Sequence, residues 1–373
     1  MIYDGHAYCI MDPNGVGGFE DPSQFRRHLQ VAMARRLSRP TRFRGAWRKS
    51  DGAAADSSTL ADPDLGWSSD AAGDVGFTPG ARGTVEWSSG GVDYVKQVMP
   101  TSSAGMAYPP ENLIAEMDYV GVDRALIHRQ LYMGVSNDYI AGCVARYPDR
   151  IQGLVHVEEW WIRSDPDRAF EKLERAIKEQ GLSGLQFLPF RLAIYGQDPD
   201  WDRRELRAFW DYFAGLGVPL FIGFGASRGL DEFKREAARL RRWMERYPDV
   251  PVVLTHGFNS DLFRDGDEFV IPDRVLDAAP LDSPRFHVQV TFPVFVAERW
   301  HYPLPQVRPA LERLVERVGS DRLLWGSDIP VVLLYLTYRQ TLDYIRLYCD
   351  FLSAEDMEKL MGGNMARLMG VAV

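Results

Sequence analysis

Eight short apolar runs, separated by amphipathic helical patterns, limit the possible folds of this chain more than any other feature. The runs are continuous stretches of Val, Ile and Leu type, which is typical of parallel strands covered on both faces. Strands that alternate with helices predict a parallel sheet, and eight such units predict a (β/α)8 TIM barrel. A doubly wound open sheet could show the same alternation, but the count and the spacing favour the barrel. The runs cover residues 2–8, 125–128, 151–157, 184–188, 219–224, 252–256, 287–292 and 323–327.

Seven helical patterns lie between the apolar runs and complete the repeat. Barrels of this kind regularly exceed about 250 residues as one unit, so the sequence predicts a single domain over residues 1–373. The helical patterns cover residues 112–120, 138–147, 167–180, 205–216, 231–246, 307–318 and 339–351.

Residues 20–110 form a long insertion after the first apolar run. Within it, residues 45–105 are rich in Gly, Ser, Ala and Asp and are punctuated by aromatic residues. The sequence EWSSGGVDYVKQV at 86–98 predicts a hairpin. A loop of this length in a compact domain is usually functional or disordered. We expect an ordered segment that serves as a lid over the site or as an arm of a homodimer.

Charge and cysteine usage restrict the partners. A net charge of −9 argues against nucleic acid or an anionic membrane surface as the main partner, but leaves a small-molecule substrate open. The three cysteines are far apart and form no CxxC pair, which argues against a disulfide framework and for a reducing compartment. The chain shows no signal-peptide pattern and no apolar run of about 18 residues, so we expect a cytoplasmic protein.

Polar residues gather where the predicted strands end, which is where the chemistry of such barrels is found. Four of the seven histidines fall at these ends, more than a scatter of surface histidines would give. The polar and glycine positions at the eight ends are Asp4, His6, Tyr8, His128, Arg129, His156, Glu158, Glu159, Gln186, Gly223, His256, Thr291 and Asp328.

Several motifs, taken in order, resemble the amidohydrolase superfamily. IYDGHAY at 2–8 is similar to its first-strand DxHxH, RLLWGSDIP at 322–330 to its last-strand Asp motif, and GGNMARL at 362–368 to its closing helix. The segments GLQFLP at 184–189 and THG at 255–257 resemble the branch that contains aminocarboxymuconate-semialdehyde decarboxylase, resorcylate decarboxylases and pyrone dicarboxylate lactonase. The resemblance covers nearly the whole chain outside residues 20–110.

This resemblance implies a metal site and also shows where it is altered. In metal-dependent members, two histidines of strand one, one of strand five and an aspartate of strand eight hold a divalent metal, and a strand-six histidine assists. By resemblance, His6, His256 and Asp328 are retained here, whereas Tyr8 and Gly223 stand where two ligand histidines are expected. Glycine has no side chain to offer as a ligand.

Three interpretations of this altered site remain open. A zinc, iron or manganese ion could be held by His6, His256 and Asp328, with Tyr8 as a phenolate or Glu158 as further ligands. The site could instead be metal-independent. In that case Asp328, with a raised pKa, would be the general base, His256 an acid or orienting partner, and Tyr8 a hydrogen-bond donor to substrate. The third interpretation is a non-catalytic binding barrel.

The substrate is predicted to be a small cyclic or aromatic carboxylic acid derivative, cleaved as an ester or lactone. Decarboxylation of an aromatic or muconate-like acid is the alternative. Candidate substrate-binding residues are Arg129, Glu158, Gly223, Trp160 and His301. Arg129 could bind a carboxylate through its two-pronged guanidinium group or could pair with Glu158 or Glu159. Arg228, in the glycine-rich run 223–229, is a weaker sign of an anionic substrate.

Overall fold

A computed structural model describes residues 1–37, 45–65, 71–224, 229–258, 264–265, 268–291 and 301–372. Arg228 and residue 292, the end of the seventh predicted run, lie outside the described residues. Among the described residues, no helix is both long and apolar enough to cross a membrane.

The predicted parallel barrel is confirmed. Its eight strand positions are Tyr3–Ala7, Arg124–Ile127, the split third position Ile151–Gly153 and Val155–His156, then Leu185–Phe187, Leu220–Ile222, Val252–Leu254, Phe286–Val290 and Leu323–Trp325. Neighbouring strands pair in parallel, as in the register that aligns Leu185 with Leu220 and Leu220 with Val252. The first and eighth positions meet through two backbone hydrogen bonds, from Asp328 N to His6 O (2.8 Å) and from Tyr8 N to Ile329 O (2.9 Å).

Helices surround the strands, and each predicted helix is present with ends shifted by at most three residues. In Pro166–Lys178 the Asp165 side chain accepts a hydrogen bond from the third helical amide and proline occupies the first turn, so capping fixes where the helix begins. The described helices are Pro22–Leu37, Pro110–Val120, Asn137–Arg146, Trp161–Ser164, Pro166–Lys178, Arg207–Gly215, Leu230–Arg246, Asp273–Leu276, Arg308–Val318, Tyr338–Tyr348, Ala354–Glu358 and Asn364–Leu368.

The insertion is an ordered sheet-bearing layer. Its hairpin is confirmed, because Thr84–Ser89 pairs antiparallel with Val92–Gln97 across Gly90 and Gly91, both with positive φ as a two-residue turn requires. Gln30, on the helix Pro22–Leu37, donates hydrogen bonds to the carbonyls of two later insertion residues and ties the helix to the layer. The five insertion strands are Ala46–Arg48, Ala54–Ala55, Thr78–Pro79, Thr84–Ser89 and Val92–Gln97; a separate short pair is Arg264–Asp265 and Glu268–Phe269.

Candidate active site

Three side chains predicted from sequence meet at the carboxyl ends of the barrel strands. His6 lies on the first strand, His256 two residues after the sixth, and Asp328 three residues after the eighth. One ligand atom from each lies within 4.8 Å of the other two. The Nε2 atoms of His6 and His256 lie 3.6 and 3.7 Å from Asp328 Oδ1. The fold therefore brings two imidazole nitrogens to one carboxylate oxygen.

Gln289, a residue that the sequence analysis missed, fixes the orientation of the His6 ring. Its Nε2 donates to Gly5 O (2.7 Å), so its Oε1 is the acceptor and receives hydrogen bonds from His6 Nδ1 (2.8 Å) and the His256 amide (3.1 Å). The proton of His6 is therefore on Nδ1, and Nε2 presents a lone pair to the site. A histidine whose second nitrogen donates to an oxygen acceptor is typical of an oriented metal ligand or acceptor.

Tyr8 points into the same site. Its hydroxyl lies 2.6 Å from His6 Nε2 and is the donor, because that nitrogen carries no proton. Asp328 is an alternative acceptor for the single proton of this hydroxyl, and a hydrogen bond from Tyr8 lowers the pKa of the Asp328 carboxyl. Tyr8 therefore makes buried polar contacts with His6 and Asp328 and does not serve only as aromatic packing.

A second histidine lies under His6. The rings of His6 and His128 stack with centroids 3.7 Å apart at 16°. His128 donates from Nε2 to Gly5 O (2.8 Å). Burial lowers the pKa of His128 to about 3. It also lowers the pKa of His6 well below its usual value, with help from the positive charges that His128 and His256 would carry. Both stacked rings are therefore neutral at physiological pH.

The raised pKa expected for Asp328 is wrong. Burial by itself raises this pKa, but hydrogen bonds from His256 and Tyr8, together with the positive charges that His6 and His256 carry when protonated, outweigh it and hold the pKa below the usual value. The carboxylate is ionised at neutral pH. It can therefore accept a proton or bind a cation without first losing one.

His256 and Asp328 both have a left-handed backbone. Their φ values are 61° and 64°, and only two other described non-glycine residues have positive φ. Such a conformation costs about 1–3 kcal/mol at each residue and persists where surrounding structure enforces it. The strain directs both side chains inward and is a structural sign of a functional site.

Gly223, at the end of the fifth strand, marks a position that is already filled. A Cβ atom added here would lie 2.8 Å from Thr255 Oγ1 and 2.9 Å from Leu188 Cδ2. The place of a fifth-strand ligand is therefore occupied by the side chains of its neighbours. Gly223 was predicted to be a substrate-binding position, but two side chains crowd the space at its own Cβ position.

Asp4, the first residue of the DxH motif, links the two ends of the chain. Its Oδ1 accepts from the amides of His6 (3.0 Å) and Ser327 (2.9 Å), and its Oδ2 accepts from Ser327 Oγ (2.5 Å) and Tyr338 Oη (2.8 Å). Burial raises the pKa of Asp4 to about 6 against the lowering effect of these hydrogen bonds. Asp4 therefore positions the loop that carries Asp328.

Two predicted site residues at the second and third strand ends form ion pairs. Arg129 pairs with Glu159, both fully buried, and this is one of the two alternatives that the sequence left open. Glu158 pairs with Lys172, whose Nζ lies 2.8 and 2.9 Å from its carboxylate oxygens. Its expected role as a further metal ligand is wrong, because its carboxylate is bound to this lysine. Glu158 is not part of the group formed by His6, His256 and Asp328, which we call the His6 cluster.

The remaining predicted binding residues differ in burial. Trp160 is buried, and its ring stacks on Tyr195 with centroids 3.6 Å apart. His301 is exposed, on the loop that follows the undescribed residues 292–300. Two surface clefts lie at the opposite end of the barrel, and neither contains any residue of the His6 cluster.

A parallel barrel whose polar side chains gather at the carboxyl ends of its strands is a common enzyme scaffold. Comparison with known proteins identifies the family. The model of the amidohydrolase family (Amidohydro_2) matches residues 86–371, and the chain belongs to this enzyme family. The resemblance inferred from the motifs is thereby confirmed. No curated protein matches the sequence.

Solved structures share the fold at low identity. A probable 2-pyrone-4,6-dicarboxylic acid hydrolase from Acinetobacter baumannii, with citric acid bound, is 16% identical with a TM-score of 0.52 and covers 71% of this chain and 90% of its own. The 2,6-dihydroxybenzoate decarboxylase from Rhizobium is also 16% identical, with a TM-score of 0.50 and coverage of 70% and 88%. An amidohydrolase from Burkholderia multivorans with bound zinc is 18% identical, with a TM-score of 0.52 and coverage of 71% and 89%.

Proposed function

We propose that this protein hydrolyses an ester or lactone of a small cyclic or aromatic carboxylic acid. The observation that carries the proposal is the convergence of His6, His256 and Asp328 within 4.8 Å at the carboxyl end of the barrel. Active sites in this fold are found at that end. The left-handed backbone at His256 and Asp328 supports a functional role, since strain of this kind clusters at active sites.

Each polar group of the site has a role in this reaction. Asp328 takes a proton from water as the water oxygen bonds to the carbonyl carbon, and Tyr8 donates a hydrogen bond to the carbonyl oxygen. The bond to the leaving oxygen then breaks, and the proton passes from Asp328 through His256 to that oxygen. His256 suits the transfer because its side chain is 34% exposed while that of Asp328 is only 4% exposed.

The same residues fit a divalent metal. His6 is neutral with its Nε2 lone pair facing Asp328, and the two separations from Asp328 Oδ1, 3.6 and 3.7 Å, are close to those between ligands of one tetrahedral ion. His6, His256 and Asp328 would hold the ion, which would supply Lewis-acid polarisation of a carbonyl or a more acidic water. Gln289 would orient His6 in either case.

This ligand set favours a second candidate function, metal-dependent decarboxylation of an aromatic or muconate-like acid. Breaking a carbon–carbon bond depends more heavily on a metal than ester hydrolysis does. We also propose that the insertion, residues 20–110, covers the substrate pocket or provides an arm of a homodimer. His28 of its first helix supports the covering role, because its ring lies 6.3 Å from that of Trp160.

The test compares two reactions and one metal analysis. Protein purified without a chelating tag is analysed by plasma mass spectrometry, then assayed for opening of dihydrocoumarin, an aromatic lactone, and for release of CO2 from 2,6-dihydroxybenzoate. Asp328→Asn and His256→Asn are the test variants, since asparagine tolerates positive φ. Asp321→Asn, an exposed aspartate before the same strand, is the matched control.

Lactone opening that falls about 10²–10⁴-fold in both test variants, with the control unchanged, supports hydrolysis. CO2 release together with near-stoichiometric metal, both lost in Asp328→Asn, supports the decarboxylase instead. Full activity in both test variants would show that the His6 cluster is not the catalytic site.

A further inference from the structure

A second buried polar cluster lies beside the proposed active site. It combines His28, from the insertion helix Pro22–Leu37, with residues that follow the second, third and fourth barrel strands. Its members are all at least 96% buried, yet among the described residues several of their polar atoms have no hydrogen-bond partner. These atoms are His28 Nε2, Arg129 Nε, His156 Nε2, Glu159 Oε2, Arg191 Nε and Arg191 Nη1.

Orphaned polar atoms at this density are unusual. More than about 90% of buried polar groups in folded proteins are hydrogen-bonded, and each exception calls for an explanation such as a bound molecule. Six of the fifteen orphaned side-chain atoms among the described residues belong to these five residues. The concentration indicates a polar ligand of this cluster.

The charges of the cluster do not balance. Arg129 pairs with Glu159 and Lys172 pairs with Glu158, whereas Arg191 has no ion-pair partner in the described part of the chain. Arg129, Lys172 and Arg191 carry three positive charges. Glu158 and Glu159 carry two negative charges, so one positive charge remains, on Arg191. Burial lowers the pKa of Arg191 to about 9, so this guanidinium group stays charged at neutral pH.

The cluster histidines do not alter this balance. Burial, together with the positive charges of Arg129 and Arg191, lowers the pKa of His28 to about 3 and that of His156 well below its usual value. Both rings are therefore neutral. Both arginines act electrostatically on both histidines, so the four side chains lie in the same part of the protein.

Two aromatic rings lie next to His28, each with its centroid 6.3 Å from that of the imidazole. Trp160 and Tyr195 stack at an interplanar angle of 21°, and the Tyr195 hydroxyl lies 2.8 Å from His28 Nδ1. With that hydroxyl as donor, His28 Nε2 carries a proton and is available to donate. Tyr195 is only partly buried, so the cluster lies one side chain beneath the surface.

We propose that Arg191 binds the carboxylate of a small aromatic monocarboxylate in a subsite roofed by His28. The fork of a guanidinium group matches a carboxylate through two parallel hydrogen bonds, and one monoanion neutralises the excess charge. The subsite is linked to the reactive residues through the backbone, since Arg129 directly follows His128, whose ring stacks on His6. The proposal rests on the proposed function in treating this anion as the acid portion of the substrate.

The test uses benzoate as the probe and benzamide, its neutral analogue, as the chemical control. Thermal unfolding and calorimetric titration are carried out on wild type, on Arg191→Met and on Arg207→Met, an exposed arginine on a barrel helix. Benzoate, but not benzamide, is expected to raise the Tm of wild type and of Arg207→Met. The affinity of Arg191→Met for benzoate should be about 10- to 100-fold weaker, the range for loss of a hydrogen-bonded charged group.

Stability without benzoate separates binding from a structural role. An unpaired buried charge is destabilising, so Arg191→Met should unfold at the same or a higher temperature than wild type when no ligand is present. A lower Tm combined with unchanged benzoate affinity would overturn the proposal in favour of a structural arginine. Equal stabilisation by sulfate would overturn the assignment to a carboxylate, and so would the absence of any effect of benzoate on wild type.

The outcome does not depend on turnover. Asp328→Asn, which is inactive under the proposed function, should bind benzoate as wild type does. An active enzyme whose benzoate affinity is unchanged by Arg191→Met would therefore refute only the subsite. Benzoate binding that requires Arg191, in a protein without lactone-opening activity, would refute only the proposed reaction.

Discussion

Replacement of Gln289 by leucine should strongly destabilise the protein. Gln289 is fully buried, and its carboxamide joins the first, sixth and seventh strands. In Gln289→Leu, the His6 Nδ1–H and the His256 N–H each lose their acceptor, while Gly5 O retains the hydrogen bond from His128. At about 1–3 kcal/mol for each orphaned group, the free energy of unfolding should fall by about 2–6 kcal/mol.

A matched variant of the same residue type provides the control. Gln186 is also buried on a barrel strand, but its carboxamide oxygen accepts one backbone hydrogen bond, from the Arg129 amide at 2.7 Å. Gln186→Leu should therefore cost about 1–3 kcal/mol, roughly half as much. Urea unfolding with an unchanged m value measures both differences. Equal losses in the two variants would refute the view that Gln289 satisfies two site groups at once.

Three further predictions concern the buried charges and the metal site. Burial lowers the pKa of His28 to about 3, from about 6.5 in the unfolded chain. Neutral His28 therefore contributes stability above about pH 6.5, and this contribution is lost as the pH falls towards 3. In urea unfolding, wild type should lose about 2 kcal/mol more stability than His28→Gln between pH 8 and pH 5. Glu159→Gln should lower the free energy of unfolding in the same assay by about 3–5 kcal/mol, because Arg129 would stay buried without its counter-ion. Gly223→His should bind more zinc, by plasma mass spectrometry, only when Thr255→Ala removes the hydroxyl that lies 2.8 Å from the new Cβ.

The barrel could be predicted because its strands are buried on both faces. The fifth and sixth positions, Leu220–Ile222 and Val252–Leu254, are uniformly apolar and stand out from the amphipathic helices beside them. The site followed from the same logic, since His256 is the last residue of one predicted strand and Asp328 directly follows another. The insertion was predicted only as far as its hairpin, because its other strands are two or three residues long and have no detectable period.

The residues that escaped prediction act through distant parts of the chain. Gln289 stands inside the strand FHVQV, where its only signal is a polar residue at an inward position of an apolar run. Arg191 lies in an apolar turn. Only the structure reveals that it has no ion-pair partner among the described residues, because Glu158 and Glu159 pair with other cations. The lowered pKa of Asp328 likewise depends on two histidines at least 72 residues away in sequence.

The contact between the first and eighth strands determines when the site can assemble during synthesis of the chain. Asp328 emerges from the ribosome more than 300 residues after His6. The nascent chain therefore carries His6 without Asp328 while the residues between them are made. Asp4 on the first strand accepts hydrogen bonds from Ser327 and Tyr338, and these bonds form only after both residues have been synthesised. A product that ends before the eighth strand lacks Asp328 and therefore cannot assemble the group formed by His6, His256 and Asp328.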